Sequence, residues 1–132
     1  LIAFSPVGRS LLTDHPLEFE ACSELAFMKV NPRFQQGNYE RNIKRTDELR
    51  AMASDMGVST SGLAIAWLLA KGDHVVPIPG TRSVEHLDEL ASGVDLELSS
   101  SDIEAIEKVL PVGWCHGDRY SADQWQGPER YC

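Results

Sequence analysis

Apolar and polar positions along this chain change period several times, and each change marks an element. Leu1 to Phe4 form a short apolar run closed by Ser5-Pro6, where the proline withdraws a donor and sets a turn, so the run reads as a strand. A long connection follows from Arg9 to Asn42, broken at His15-Pro16, Asn31-Pro32 and Gly37-Asn38. Connections of that length are functional or carry short helices of their own. Glu18 to Lys29 supplies such a helix, with Phe19, Cys22 and Ala26 on one stripe. From Arg41 to Met56 the apolar residues Leu49, Met52, Ala53 and Met56 recur at i, i+3, i+4 and i+7, one face of an amphipathic helix stopped by Gly57. Ser59 caps the next helix, which runs through Ala70 and ends at Gly72. Its Leu63, Ile65, Ala66, Trp67, Leu68 and Leu69 are apolar nearly all round, so it belongs between other elements.

Val75 to Ile78 make a second strand, apolar throughout as parallel strands buried on both faces are, although Pro77 argues against full ladder pairing. Val84 to Ala91 form a short helix with Val84, Leu87, Leu90 and Ala91 inward. Ser99 or Ser101 caps the last clear helix, in which Ile103, Ile106, Val109 and Leu110 face inward. Ser101 and Glu104 have capping-box spacing, and Pro111 ends the helix. Trp114 to Cys132 show no period and read as an irregular tail. There is no internal repeat and no low-complexity tract.

The chemistry concentrates in one segment. The strand at Val75 ends in Pro79-Gly80, then come Thr81 and Arg82, then a helix opened by Ser83. A helix N-terminus attracts anions through its free N–H groups and its dipole. Gly80 permits close approach of a backbone to a ligand, and Arg82 can grip a phosphate in a fork. Many buried strands end in this way without binding anything, and Arg82 is then a surface residue. A cation at a helix start is mildly unfavourable, however, which is itself a reason to expect a bound phosphate there.

The segments together resemble the aldo-keto reductase family. Leu1-Ile-Ala-Phe-Ser-Pro-Val-Gly-Arg-Ser-Leu-Leu-Thr13 is similar to that family's penultimate strand and loop, and Asn31-Pro-Arg-Phe-Gln-Gln-Gly-Asn38 with Asn42 to its linker. Leu63-Ala-Ile-Ala-Trp-Leu-Leu69 resembles the buried helix before the last strand, the Pro-Ile-Pro-Gly-Thr-Arg words the last strand and loop, and Gly117-Asp-Arg-Tyr120 a tail motif. The likeness runs in order from Leu1 to about Tyr120. It implies an α/β fold, the C-terminal fragment of a (β/α)₈ TIM barrel, mostly helical with two short parallel strands. Such a barrel has ~250 residues. Residues 1–132 are therefore expected to be the C-terminal part of an NADP-dependent oxidoreductase domain whose N-terminal part is absent.

By the same resemblance the cofactor is NADP(H). Ser5, Pro6, Val7 and Arg9 would lie along the pyrophosphate, Gly80, Thr81 and Arg82 at the adenosine phosphate, and His86 and Glu89 near the 2′-phosphate or adenine. Arg82 discriminates, because NADP carries a 2′-phosphate where NAD has a hydroxyl. The family usually has Asn after this Glu; here Leu90 stands on the apolar face. The family's proton-donating Tyr, with its Lys, Asp and His helpers, lies on earlier strands. No catalytic residue is expected here, and Tyr39, Tyr120 and Tyr131 read as packing or loop aromatics.

The chain of 132 residues carries a net charge of −8, which argues against nucleic acid or an anionic membrane as partner; the resemblance implies a small carbonyl substrate. Cys22, Cys115 and Cys132 have no metal spacing and an odd count, which fits a reducing compartment, the cytoplasm. Neighbouring Cys115-His116 lacks a third orienting group for nucleophilic catalysis. His116, Asp118 and Cys132 match no common metal site. Trp114, Trp125 and Tyr120 either line a substrate mouth or cover the rim. The expected function is reduction of aldehydes or ketones with NADPH. The alternative is a non-catalytic, nucleotide-binding regulatory relative of the same fold.

Overall fold

The computed structural model describes residues 1–125. Strand β1 (Ile2–Phe4) leads into a long connection that carries helix α1 (Phe19–Glu24) and two 3₁₀ turns, Met28–Val30 and Pro32–Phe34. Helices α2 (Asn38–Asp55) and α3 (Thr60–Leu69) follow, then β2 (Val76–Ile78), α4 (Val84–Ser92), α5 (Ser100–Val109) and a last 3₁₀ turn, Ala122–Trp125. Two parallel strands, each followed by helix, are the repeating unit of a (β/α)₈ barrel.

The strands pair with Ile2 opposite Val76, Ala3 opposite Pro77 and Phe4 opposite Ile78. Pro77 is tolerated for a geometric reason. The Val76 N–H donates to the Leu1 carbonyl at 2.8 Å, and successive donors alternate sides, so the missing proline N–H falls on the edge away from β1. The expectation that β2 is buried on both faces fails. Val76 and Ile78 are 54% and 50% exposed, and with Ile2 and Phe4 they form one open apolar face. The alternation of a strand puts Ala3 and Pro77 on the other face, and only that face is partly covered.

The main core joins α2, α3 and α5 through Leu49, Ala53, Leu63 and Ile106, with Met52, Met56, Trp67, Val109 and Leu110 around them. The stripe expected on α2 is therefore the buried one. The helix starts earlier than its apolar period, at Asn38, because Gly37 turns at φ +84° and the Glu40 carboxylate accepts the Gly37 N–H at 2.5 Å. A second cluster, Leu11, Cys22, Met28, Phe34 and Tyr39, lies under the long connection. Here α1 is shorter than expected, and Met28 in the 3₁₀ turn takes the buried place assigned to Ala26, which is exposed. The Tyr39 hydroxyl donates to the Leu17 carbonyl, and burial pushes its pKa up to about 12, with nearby Cys22 and Glu18 adding to the shift.

Helix α4 departs most from the pattern. Leu90 is buried, but Val84 and Leu87 are 76% and 52% exposed and Ala91 is exposed too. Contact with α3 runs instead through small residues: a Cβ on Gly93 would lie 2.2 Å from the Gly62 carbonyl oxygen, and the Ser59 hydroxyl donates to the Glu89 carbonyl at 3.1 Å. Leu87 and Ala91 are left lining a shallow apolar groove against Ile65, Leu69 and Pro77. The Ser59 cap of α3 is as expected, its hydroxyl accepting the Gly62 N–H at 3.0 Å. On α5 the cap is Ser99, and the box is Ser99 with Asp102 rather than Ser101 with Glu104. The Asp102 N–H reaches the Ser99 hydroxyl at 3.2 Å and the Ser99 N–H reaches the Asp102 carboxylate at 2.8 Å. Ser99 keeps extended backbone (φ −71°, ψ 164°), and a cap must be the last residue to do so.

Two outcomes follow. Gly93→Ala should lower stability by about 1–3 kcal/mol, because the added methyl meets rigid backbone on both sides of the contact. Gly80→Ala, with nothing within 4 Å of the new Cβ, should stay within about 0.5 kcal/mol by the same chemical denaturation. The hydrogen bond from the Ser99 hydroxyl, and then that from its N–H, hold the Asp102 carboxyl below its ordinary range. The stabilisation is present above the unfolded carboxyl pKa and is lost as pH falls through the lower folded value. Asp102→Asn should therefore lower the melting temperature at pH 7, with the deficit closing under acid; a deficit independent of pH would contradict the carboxylate cap.

Candidate functional site

Because the strands are parallel and Phe4 lies beside Ile78, the segments Ser5-Pro6 and Pro79-Gly80 leave the sheet next to each other at its C-terminal edge. That edge is where barrels of this kind carry their chemistry. The first loop turns tightly. Ser5, Arg9 and Ser10 have φ of +52°, +55° and +76°, and Gly8 +60°. Left-handed backbone at three residues with side chains costs of order 1–2 kcal/mol each, so something must hold it. Part of the restraint is local, from Gly8 N–H to the Ser5 carbonyl at 3.0 Å and Leu12 N–H to the Val7 carbonyl at 3.1 Å. The rest comes from Arg50 on α2. Its guanidinium donates to the Leu11 and Thr13 carbonyls at 3.1 and 3.0 Å and to the Thr46 hydroxyl at 2.7 Å, while Asp47 pairs with it at 2.9 Å. The Asp14 carboxylate accepts the Thr60 N–H at 3.1 Å and so ties the loop to the start of α3. The only hint of Arg50 in the sequence is Asp47 three residues before it, which reads as an ordinary surface pair.

The second loop is open. Gly80, Thr81 and Arg82 are exposed, and no carboxylate lies within ion-pair distance of Arg82 among the described residues. The Thr81 hydroxyl is engaged locally, accepting the Ser83 N–H at 3.3 Å and donating to the Ser83 carbonyl at 3.2 Å. The Ser83 hydroxyl caps α4 through the His86 N–H at 3.2 Å. His86 is exposed and Glu89 half-buried on the same helix. Leu90 is 6% exposed and turned into the protein, so this position offers no polar group to a ligand at the lip.

Arg9 takes a different direction from the rest of its loop. Its guanidinium lies over the Phe27 ring at 4.2 Å and 5.5 Å from that of Tyr120, which places it against the linker and the tail. Those two segments are joined by buried asparagines. The Asn42 amide donates to the Arg33 and His116 carbonyls, both at 3.0 Å, and its oxygen accepts the His116 N–H at 2.7 Å. The Asn31 amide donates to the Arg119 carbonyl at 2.7 Å and its oxygen accepts the Arg33 N–H at 3.1 Å. Gly117 (φ +87°) crosses so close that a Cβ would fall 2.6 Å from the Pro32 carbonyl. Tyr120 is buried against Trp125, ring centroids 5.1 Å apart. Trp114 is half-buried and lines a groove of about 540 Å³ beside β1, floored by Leu49, Leu63, Trp67 and Ile106. Cys115 is half-buried with its thiol pushed up by burial, the opposite of an activated nucleophile. Tyr131 and Cys132 lie outside the described residues.

This loop–strand arrangement has known relatives. The aldo/keto reductase family model matches residues 1–111, and the chain belongs to that family. It is 29% identical over 120 residues to "Aldo-keto reductase yakc [NADP(+)]" of Schizosaccharomyces pombe, covering 91% of this chain and 35% of the relative. It is 31% identical over 120 residues to "Probable aldo-keto reductase 1" of Glycine max, covering 91% of this chain and 34% of the relative. The chain thus spans about a third of the length of these relatives.

Asn42→Ala should cost about 2–4 kcal/mol, since it leaves buried carbonyls and an N–H without partners. The linker and tail should loosen together, and amide hydrogen exchange at His116 should rise with the loss of global stability. Protection at His116 that survives the substitution would show that the tail is held by other contacts.

Proposed function

We propose that the chain forms the nucleotide-holding C-terminal part of a longer NADPH-dependent carbonyl reductase. The observation that carries this reading is Arg82, with no carboxylate partner among the described residues, at the mouth of two adjacent loops beside Gly80 and the N-terminus of α4. The residues fit a dinucleotide. Gly80 has open space where a side chain would stand, and the N-terminus of the nine-residue α4 supplies a positive dipole end. When bound, NADPH supplies the hydride that reduces an aldehyde or ketone carbon.

Within this reading each segment has a task. Ser5, Pro6 and Val7 border the pyrophosphate, and the Arg50 and Asp14 anchors keep their loop in its left-handed shape. Gly80, Thr81 and Arg82 hold the 2′-phosphate end, with His86 and Glu89 flanking it. Arg9 belongs to the same loop as Ser5, Pro6 and Val7, with its charge carried between the Phe27 and Tyr120 rings. None of these residues moves a proton to the carbonyl oxygen. Tyr39 is unsuited to that task, being hydrogen-bonded to a carbonyl with its pKa at about 12, and Tyr120 is enclosed by Phe27 and Trp125. The proton donor belongs to strands outside these residues. The free thiols of Cys22 and Cys115 favour a reducing compartment such as the cytoplasm, and no helix among the described residues is long and apolar enough to cross a membrane. A second reading, a non-catalytic nucleotide-binding relative, draws on buried Leu90, which removes one polar contact from the adenine side.

In the longer protein, Arg82→Ala should raise the dissociation constant for NADPH roughly 10- to 100-fold, the loss of a charge-assisted contact of about 1.5–3 kcal/mol. NADH binding should be nearly unchanged, and salt should weaken NADPH binding less in the variant than in the wild type. Equal weakening of both cofactors would move Arg82 to the shared pyrophosphate, and very weak binding of both by the wild type would sink the reading.

A further inference from the structure

The loops after β1 and β2 are joined at their roots by the strand pair and again, further out, by the start of α3. The end of the first loop is fixed at Thr13, whose hydroxyl donates to the Ser10 carbonyl at 2.8 Å and whose carbonyl accepts from Arg50. The next residue, Asp14, reaches across to α3. Its carboxylate accepts the Thr60 N–H at 3.1 Å on one oxygen and 3.3 Å on the other, and the Thr60 hydroxyl donates to the first of these. Thr60 has no exposed surface. A carboxylate at a helix N-terminus meets a free N–H and the positive end of the dipole, so the attachment is strong. It joins residues 46 positions apart.

The same turn of α3 grips α4 on its other side. The Ser59 hydroxyl accepts the Gly62 N–H at 3.0 Å and donates to the Glu89 carbonyl at 3.1 Å. A Cβ on Gly62 would lie 2.8 Å from the Ser92 hydroxyl and 3.0 Å from the Glu89 carbonyl oxygen, so the two helices touch through backbone. Thr60, Ser61 and Gly62 are all buried, which leaves the turn no room to give way. Glu89 and Arg82 stand at opposite ends of one short helix and the lip that opens it. The nine-residue α4 is hydrogen-bonded along its length, so a restraint at Glu89 and Gly93 is carried to Ser83 and to the Gly80-Thr81-Arg82 lip.

These contacts close a ring. It runs from β1 through the first loop to Asp14, across the first turn of α3 to α4, back along the second loop to β2, and through the strand pairing to β1. Strand pairing sets the roots of the loops side by side, and the α3 turn fixes their far ends. We infer that this turn, Ser59 to Gly62, positions the two halves of the nucleotide site relative to each other, with Thr60 holding the pyrophosphate side through Asp14. A dinucleotide is a ligand with two linked ends, and what it gains by engaging both depends on how well its span matches that of the site. The ring thus acts on the whole dinucleotide more than on either end alone. Naming the ligand rests on the nucleotide reading proposed above; the ring of contacts does not.

Thr60→Val removes the hydroxyl while keeping the buried volume and the backbone N–H that Asp14 accepts. In the longer protein it should raise the dissociation constant of NADPH about tenfold, while those of 2′-AMP, which probes the lip, and inorganic pyrophosphate, which probes the first loop, stay within about twofold. Thr60→Ser keeps the hydroxyl and should return NADPH binding to the wild-type value. Unchanged NADPH binding in Thr60→Val overturns the proposal. So does a loss shared by either small ligand, which would make Thr60 a support of the fold or of one loop. Hydrogen exchange gives a readout without ligand. Thr60→Val should speed exchange both at the Leu12 N–H of the first loop and at the Leu87 N–H of α4, beyond any change at the Leu110 N–H that ends α5. A rise at Leu12 alone overturns the ring. Wild-type protein that binds none of the three ligands would refute the nucleotide reading, with exchange at Leu87 still deciding whether α3 couples the loops.

Discussion

The reciprocal hydrogen bonds between the Asn42 amide and the His116 backbone fasten the first half of the chain to its last quarter. Asn42 has no exposed surface, and neither does Asn31, which binds the Arg119 carbonyl from the neighbouring turn. A buried amide tolerates such a position only when its donors and acceptor are satisfied. Asn42 meets that condition with backbone groups alone, and Asn31 with the Arg119 carbonyl, the Arg33 N–H and the Gln124 side-chain oxygen, so the two fix the path of the tail. With the tail held there, Gly117 crosses Pro32, Tyr120 lies against Trp125, and Arg119 faces Phe4 at the end of β1.

A similar logic governs the loop after β1. Its left-handed residues have no intrinsic reason to hold that shape, and the carbonyls of Leu11 and Thr13 are gathered by one guanidinium on α2. Arg50 is itself anchored by Asp47, Thr46 and the Ile43 carbonyl within its own helix. Rigid helix thus supports strained loop, which is the arrangement expected where a loop has to present backbone to a ligand. The lip after β2 is built differently, from a short local turn and a helix cap, and stays open. One loop is preformed by tertiary contacts; the other is preformed by its own sequence.

The net charge is −8, while Arg82, with no carboxylate within ion-pair distance among the described residues, stands at the C-terminal edge of the sheet. Global acidity keeps polyanions away, and a local arginine still admits a small anion, because screening confines each field to about a Debye length of 10 Å at 0.1 M salt.

Local order was legible in the sequence to a large degree. The two strands, the Ser59 and Ser83 caps, the amphipathic face of α2 and the wedge character of α3 depend on interactions within a few residues, and those leave a period or a cap in the chain. The order of family-like words from Ser5-Pro6 to Gly80-Thr81-Arg82 likewise pointed to the two loops that the parallel register sets side by side. Tertiary structure decided what depends on partners distant in sequence. It made α4 rest on Gly62 and Gly93, leaving Leu87 exposed, because backbone contact between helices needs an absent side chain and leaves no apolar period. It chose Ser99 over Ser101 as the cap, a matter of where the helical backbone begins. It gave Arg50, Asn31 and Asn42 their roles, since a polar side chain's worth is set by the carbonyls that arrive beside it, some of them from more than seventy residues away.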